Sequence, residues 1–300
     1  MPLEPFQIVI LIGIGALVGI SISIAGQTGQ GVVLPIVLLF TGDVLLAIAI
    51  NLLNDLITTL FASIRYFKNR EFEIRGDIFL IIVIAVFVSF FGVLTLMTTS
   101  LGTIYGWFIP AFIIVLGLLF IKQGFPTNES LKKIIDVITK KTKKEVNLND
   151  QDIVLKEIVD KNHTQNLHKR SKLFFLLALF FGAFIGINSG MFGAASGLIF
   201  VLALVIIYGY PLKKGVGTAL ILSIFICLST FIIYQVLGVF LKNRLFLDIE
   251  ISFYLAIGSI ITAIIASFYI QKISAKVMGR AIGFIIAILG SISLIIYFIA

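Results

Sequence analysis

The chain has 300 residues, of which 59% are apolar and only 13% are charged, and its mean hydropathy is +1.14. A soluble domain cannot cover that much apolar surface, so the composition predicts a membrane protein. The net charge of +8 does not indicate nucleic-acid binding, because the basic residues lie in loops between apolar runs. Such loops are typical of the cytoplasmic side of membrane proteins and of contacts with anionic lipid.

Apolar runs predict the membrane segments along the chain. They cover residues 6–40, 43–64, 78–98, 101–121, 172–208, 212–241, 251–270 and 279–300. Most have roughly the 20 residues of one membrane-spanning helix. Residues 6–40 as a single helix would extend about 52 Å, beyond a hydrocarbon core of about 30 Å, and residues 172–208 have the same problem. Each of these two runs is predicted to break at its cluster of glycines and polar residues.

The two long runs match each other at a constant offset of 167 residues. Four glycine pairs coincide at this offset: Gly15 with Gly182, Gly19 with Gly186, Gly26 with Gly193, and Gly42 with Gly209. The match predicts an internal duplication, with membrane repeats over 1–122 and 172–300 and a basic cytoplasmic linker over 123–171. The predicted fold class is all-α, a polytopic membrane protein of about eight full spans plus broken or re-entrant helices, which makes 8–10 membrane segments.

Charge bias orients these segments. The basic loop 65–77 and the linker 123–171 are predicted to lie inside. Segment 172–208 then begins and ends on the inner face, so it is predicted to be a hairpin or re-entrant pair, and the two repeats are predicted to be inverted. Lys242 and Arg244 count against this topology, because it places them outside. Parallel repeats with one kinked span at each cluster are the alternative.

Inverted repeats with broken helices are a recurrent architecture of secondary transporters, whose half-helix ends form the substrate site near the membrane midplane. A break exposes N–H groups at a helix N-terminus, and these bind anions without a formal cation. The predicted substrate-binding residues are those of the two clusters and two polar neighbours: Gly26, Gln27, Thr28, Gly29, Gln30, Gly31, Asn51, Asn188, Ser189, Gly190, Gly193, Ser196, Gly197 and Thr218. The other four cluster glycines fit close helix packing instead: Gly15, Gly19, Gly182 and Gly186.

Asp55 lies within the apolar run 43–64, on one helical face with Asn51 and Thr58. A carboxylate inside a membrane is by default a functional hypothesis. Three roles are open to it: carrying a proton, coordinating a coupling cation, or capping a broken helix end. At the offset of 167 its counterpart is Leu222, so any coupling role belongs to the first repeat alone. Thr218, the counterpart of Asn51, keeps the polar character.

Signals for catalysis are lacking. The chain has one cysteine, Cys227, and two histidines, His163 and His168, which lie in the polar linker. No catalytic or nucleotide-binding motif is present, so the chain is predicted not to be an enzyme and to hold neither a metal nor a cofactor. No basic side chain lies deep in a predicted span, which favours a small anion that is monovalent or weakly hydrated as the partner. A proton or cation is the candidate coupling partner, and membrane lipid surrounds the protein.

The glycine clusters resemble those of the sulfite exporter TauE/SafE family of bacterial and archaeal membrane permeases. The best match is GYPLKKGVGTAL at 209–220, and the matching motifs lie roughly within residues 10–65 and 175–235. The sequence departs from the family pattern where Asp43-Val44 replaces a Gly-x-Pro turn and where Leu202 stands opposite Pro35. Its glycine triplet is also altered, to Gly29-Gln30-Gly31 in one half and Ala194–Gly197 in the other.

The resemblance implies a secondary transporter of sulfur oxyanions or organosulfonates, such as sulfite, sulfoacetate or thiosulfate. It implies a location in the prokaryotic inner membrane, and the charge bias adds a cytoplasmic linker over 123–171. An anion or small-solute channel is one alternative that the sequence leaves open. A membrane component of sulfur or metal metabolism is the other.

Overall fold

The computed structural model describes residues 3–26, 29–74, 76–99, 175–194, 197–208 and 210–270, with isolated helical residues outside these ranges. Within them the chain forms eight α-helices and no strand. The helices are α1 Pro5–Ala25, α2 Gln30–Thr41, α3 Val44–Lys68, α4 Gly76–Thr98, α5 Phe175–Phe192, α6 Gly197–Tyr208, α7 Leu212–Lys242 and α8 Ile249–Ile270. The predicted linker 123–171 lies outside the described residues, as do almost all of the predicted spans 101–121 and 279–300.

The prediction of an all-helical polytopic membrane protein is confirmed. Six of the described helices are long and apolar enough to cross a membrane. The other two, α2 and α6, have 12 residues each, which corresponds to about 18 Å of helix, too short to span the hydrocarbon core. Each long apolar run therefore breaks where predicted, into one long and one short helix.

Both breaks begin with the same backbone turn. Gly26 has a φ of +62° and Gly193 a φ of +66°, so both adopt the left-handed conformation that favours glycine. Their N–H groups donate to the carbonyl oxygens of Ile22 at 2.8 Å and Ser189 at 3.0 Å. This turn is a common way to end a helix. The predicted correspondence of Gly26 with Gly193 thus extends to their conformation and hydrogen bonding.

The first helix of each repeat packs against the last described helix of the other repeat, α1 on α8 and α5 on α4. A methyl group at any of four glycines would collide with the facing helix. The glycines and the backbone carbonyls that they face are Gly15 with Leu255, Gly19 with Ser259, Gly182 with Ile81, and Gly186 with Ala85. The predicted packing role of these four glycines is confirmed.

Two ion pairs fix the relative direction of α3 and α7. Asp43, directly before α3, pairs with Arg244, which lies beyond the end of α7. Glu73, beyond the end of α3, pairs with Lys214 in the first turn of α7. The start of each helix therefore lies beside the end of the other, so these corresponding helices are antiparallel and the repeats are inverted. We name the two ends of the molecule the Asp43 face and the Glu73 face.

Each broken segment returns to the face from which it starts. The N–H of Leu3, just before α1, donates to Glu250 at the start of α8 at 3.3 Å, and α8 begins on the Asp43 face. Helix α2 ends directly before Asp43, so α1 and α2 together begin and end on that face. Helix α5 begins beside the start of α4, and α6 ends just before Lys214, both on the Glu73 face. This geometry is the predicted hairpin.

Replacing Gly15 by alanine should lower the melting temperature of the purified protein. The added methyl group would collide with the Leu255 carbonyl, and overpacking of this kind costs about 1–3 kcal/mol. Gly13 on the same helix is exposed and faces open space, which makes Gly13→Ala the matched control. That control should be neutral or stabilising, because alanine favours a helix over glycine. Equal melting temperatures for the two variants in detergent would contradict the packing.

Candidate functional site

The two chain breaks lie against each other. The carbonyl oxygen of Gly26, which ends α1, contacts Gly197 at the start of α6, where it leaves no space for a side chain. The Val201 side chain of α6 lies 3.3 Å from the position that a side chain at Gly26 would occupy. Gly26, Gly193 and Gly197 are all buried. Residues of both repeats therefore meet at a single buried point.

This meeting point lies about halfway through the molecule. Gly29, which precedes α2, donates its N–H to Asp55 Oδ1 at 2.9 Å, and Asp55 is the twelfth residue of the 25-residue α3. Twelve residues of helix extend about 18 Å, which is near the middle of a hydrocarbon core of about 30 Å. The start of α2 is therefore placed at the depth where a transporter of inverted repeats binds its substrate.

The fully buried Asp55 caps the start of α2. Its carboxylate lies at the positive end of the α2 dipole and accepts an N–H that has no partner within the helix. Of the three roles that the sequence leaves open for Asp55, these contacts demonstrate the capping role.

Asn51 connects the two breaks. Its amide nitrogen donates to the carbonyl oxygen of Gly193 at 2.7 Å and lies 3.4 Å from Asp55 Oδ2. The Gly193 carbonyl follows the end of α5, where no helical N–H is available to it. One side chain thus links the end of α5 to the carboxylate that caps α2, and the predicted polar residues of α3 are in contact with the second glycine cluster.

The remaining residues of the predicted site support the backbone of the second break or lie beside the first. The Ser189 hydroxyl lies 2.9 Å from that of Thr230, and the Gly190 carbonyl accepts a hydrogen bond from Tyr234 at 2.7 Å. Gln30 and Gly31 form the start of α2, and Asn188 lies in the last turns of α5. Gln27, Thr28 and Ser196 lie outside the described residues.

Two buried tyrosines, which the sequence does not predict, donate hydrogen bonds to backbone carbonyls at the two breaks. The Tyr66 hydroxyl donates to the Ser23 carbonyl at 3.0 Å, and the Tyr234 hydroxyl donates to the Gly190 carbonyl. Each carbonyl belongs to the residue three positions before the left-handed glycine, so the end of the helix leaves it without a partner. Lipid offers no hydrogen bond to such a group. The tyrosines therefore supply the same missing donor in both repeats.

Several corresponding positions around the breaks and in the long helices are related by an offset of 168 residues, although the bounds of α2 and α6 keep the offset of 167. Gly29 and Gly197, Asp55 and Ser223, and Tyr66 and Tyr234 are each related by an offset of 168 instead of 167. Asp55 Oδ1 lies 3.1 Å from the side-chain position of Gly29, and Ser223 Oγ lies 3.3 Å from that of Gly197. The prediction that Leu222 takes the place of Asp55 is therefore wrong, because Ser223 takes it.

Thr218 is affected by the same shift. A difference of one residue turns a side chain by about 100° around a helix, so Thr218 does not occupy the position that corresponds to Asn51. Its hydroxyl accepts the backbone N–H of Glu73 at 3.0 Å. This contact places Thr218 at the junction of α7 with the segment that follows α3.

Three buried polar side-chain atoms in the described part of the chain have no hydrogen-bond partner: Asn51 Oδ1, Asn54 Nδ2 and Ser223 Oγ. Buried polar groups in native proteins are nearly always paired, so each exception calls for an explanation. All three belong to α3 and α7, the helices that meet the breaks. Asn51 and Ser223 lie beside the breaks and are candidate contacts for a ligand, whereas the Asn54 side chain bonds to Ser259 of α8.

The family model of the sulfite exporter TauE/SafE matches residues 11–292. The chain belongs to the sulfite exporter TauE/SafE family. No curated protein and no solved structure matches it. Membership confirms the resemblance seen in the glycine clusters, and the family is one of membrane transporters of sulfite and related anions.

We expect Tyr66→Phe and Tyr234→Phe each to destabilise the TauE/SafE chain by about 1–3 kcal/mol, the usual effect of leaving a buried acceptor without its donor. Tyr254→Phe is the control, because the Tyr254 ring is half-buried and has no hydrogen bond among the described residues. Thermal unfolding in detergent measures all three. If Tyr66→Phe and Tyr234→Phe lose no more stability than Tyr254→Phe, the two tyrosines do not stabilise the breaks.

Proposed function

We propose that this chain is a secondary transporter of a small sulfur oxyanion or organosulfonate, such as sulfite, sulfoacetate or thiosulfate, and that it works by alternating access. The contact of Gly26 with Gly197 carries this proposal, because it brings a broken helix of each inverted repeat to one point. A ligand held there touches both repeats. Relative movement of the repeats then exposes the ligand first to one face and next to the other.

The chemistry around the breaks suits an anion of low charge. No lysine, arginine or histidine among the described residues is buried, so the donors available to a ligand are backbone N–H groups, amides and hydroxyls. Helix N-termini bind sulfate, phosphate and carboxylate groups through such donors. We propose that the ligand contacts the two glycine clusters together with Asn51, and that the lack of a buried cation keeps the affinity moderate and the release fast.

The two inter-repeat ion pairs support alternating access. Glu73 and Lys214 join the repeats at the Glu73 face, where the Tyr210 hydroxyl also donates to the Glu73 carbonyl at 3.3 Å. Asp43 and Arg244 join them at the Asp43 face. We interpret the state with both pairs formed as an occluded state. Separation of one pair would then release α3 from α7 at that face alone.

Asp55 is the residue that we propose couples transport to protons. In its ionised form it caps α2 and repels a second negative charge near the start of α6. Protonation of Asp55 removes this repulsion, so proton uptake and anion binding favour each other. The expected stoichiometric partner of the anion is therefore a proton moving in the same direction.

Anions of the proposed class should raise the melting temperature of the purified protein. A ligand that binds only the folded state at 100 times its Kd stabilises by about 2.7 kcal/mol. Sulfite, methanesulfonate, sulfoacetate and thiosulfate would be compared with chloride, choline and spermidine in detergent. Stabilisation by a cation or amine alone would overturn the anion assignment. In proteoliposomes, saturable flux supports a transporter, whereas ohmic current would favour the channel.

Asp55→Asn should leave sulfite flux into proteoliposomes insensitive to pH. The amide oxygen can still accept the Gly29 N–H, but the group no longer takes up a proton. Asp248→Asn is the matched control, because Asp248 also accepts a helix N–H, that of Ile251 at 3.1 Å, but lies at the start of α8. The control should keep the pH dependence of the unsubstituted protein. The same pH profile in Asp55→Asn would remove Asp55 from coupling.

A further inference from the structure

We propose that one oxygen of the transported anion binds at the start of α6, with Ser223 as its hydroxyl donor. This position corresponds to the one that the Asp55 carboxylate occupies at the start of α2. The inference rests on the proposed function and deepens it, because it names the residue that contacts the anion, the charge of the anion and the number of anions bound.

The two helix starts have the same geometry but different chemistry. Asp55 and Ser223 are each the twelfth residue of their long helix. Each places its side-chain oxygen near a glycine at the start of the neighbouring short helix. The distance is 3.1 Å from the side-chain position of Gly29, which precedes α2, and 3.3 Å from that of Gly197, the first residue of α6. At α2 the oxygen belongs to a carboxylate that accepts an N–H. At α6 it belongs to a neutral hydroxyl, which is able to donate.

The Ser223 hydroxyl lacks a partner. Its side chain is buried, with 2% exposed, and Oγ has no hydrogen bond in the described part of the structure. A serine within a helix commonly donates to the carbonyl four residues earlier, as Ser229 of the same helix does to Phe225 at 2.6 Å. Ser223 does not make this bond. A buried donor without an acceptor is unfavourable, and a bound anion would satisfy it.

The start of α6 also lacks a carboxylate like that of Asp55, which accepts an N–H at the start of α2. Neither α2 nor α6 has an acidic residue in its first turn, so the difference lies in the neighbouring long helix, which presents the Asp55 carboxylate to α2 and the neutral Ser223 hydroxyl to α6. The positive end of the α6 dipole is therefore not neutralised by the residue that corresponds to Asp55, and such a helix end favours an anion. The contact between Gly29 and Asp55 shows the arrangement that such a ligand would adopt, with one anionic oxygen accepting a backbone N–H. The Gly26 carbonyl bounds the position from the other repeat.

The chemical class of the ligand follows from these contacts. A hydrogensulfite, sulfonate or carboxylate group has two or more oxygens, so one can accept a backbone N–H while another accepts the Ser223 hydroxyl. Because Asp55 already fills the equivalent position at α2, only one anion binds in each chain. A ligand with a single negative charge is favoured, since Asn51 bonds both to the Asp55 carboxylate and to the carbonyl of Gly193, which precedes α6.

The test compares variants of Ser223 by the binding of sulfite and methanesulfonate to the full-length protein in detergent. Ser223→Ala should raise the Kd about tenfold or more, as expected for loss of a hydrogen bond to a charged group. Ser223→Asp places a carboxylate where the anion would bind, so this variant should lose the anion-dependent rise in melting temperature. Ser229→Ala, whose hydroxyl bonds within its own helix, should keep the Kd of the unsubstituted protein.

An unchanged Kd in Ser223→Ala overturns the inference, even if Ser223→Asp does not fold. An equal loss of affinity in Ser229→Ala also overturns it, because the effect would then be general to hydroxyls of α7. In both cases the unsubstituted protein still binds the anion, so the proposed function stands. Absence of any anion binding to the unsubstituted protein would instead overturn the proposed function itself.

Discussion

Lipid offers no hydrogen bond to a helix that ends inside the membrane, and each repeat of this chain contains such an ending. The carbonyls left free at the end of α1 and α5 accept hydrogen bonds from Tyr66 and Tyr234. The carboxylate of Asp55 accepts an N–H at the start of α2, and Asn51 pairs with the carbonyl of Gly193. Beside the start of α6, the buried Ser223 hydroxyl has no partner among the described residues, which is why we place the ligand there.

The packing divides the helices differently from the order of the chain. Helix α8 packs on α1 and bonds to α3, where the Ser259 hydroxyl donates to Asn54 at 3.0 Å. Helix α4 packs on α5, which in turn bonds to α7 through Ser189 and Thr230. The last described helix of each repeat therefore packs with helices of the other repeat. One body consists of α1, α3 and α8, and the second body consists of α4, α5 and α7. In the proposed mechanism, movement between the two bodies would take place at the contact of α3 with α7, where both ion pairs join the repeats.

Much of this architecture is readable in the sequence because lengths and charges are strong signals in a membrane protein. Two apolar runs too long to be single spans predict the breaks, and basic loops predict the inversion. Arg244 counted against the inverted topology because it placed an unpaired basic residue outside. In the structure Asp43 pairs with Arg244 and neutralises it, which removes that objection. The site itself was less predictable. Glycine identities alone support an unbroken offset, so the one-residue shift that matches Ser223 with Asp55 was not visible.

The difference between the two helix starts has a functional consequence under the proposed mechanism. Carboxylates beside both short helices, α2 and α6, would exclude an anion. Hydroxyls beside both helices would bind an anion but would leave no group to take up a proton. One Asp55 and one Ser223 place a single anion position beside a single titratable group. In this mechanism the inverted symmetry of the scaffold would supply two related conformations, and the difference between Asp55 and Ser223 would supply the coupling.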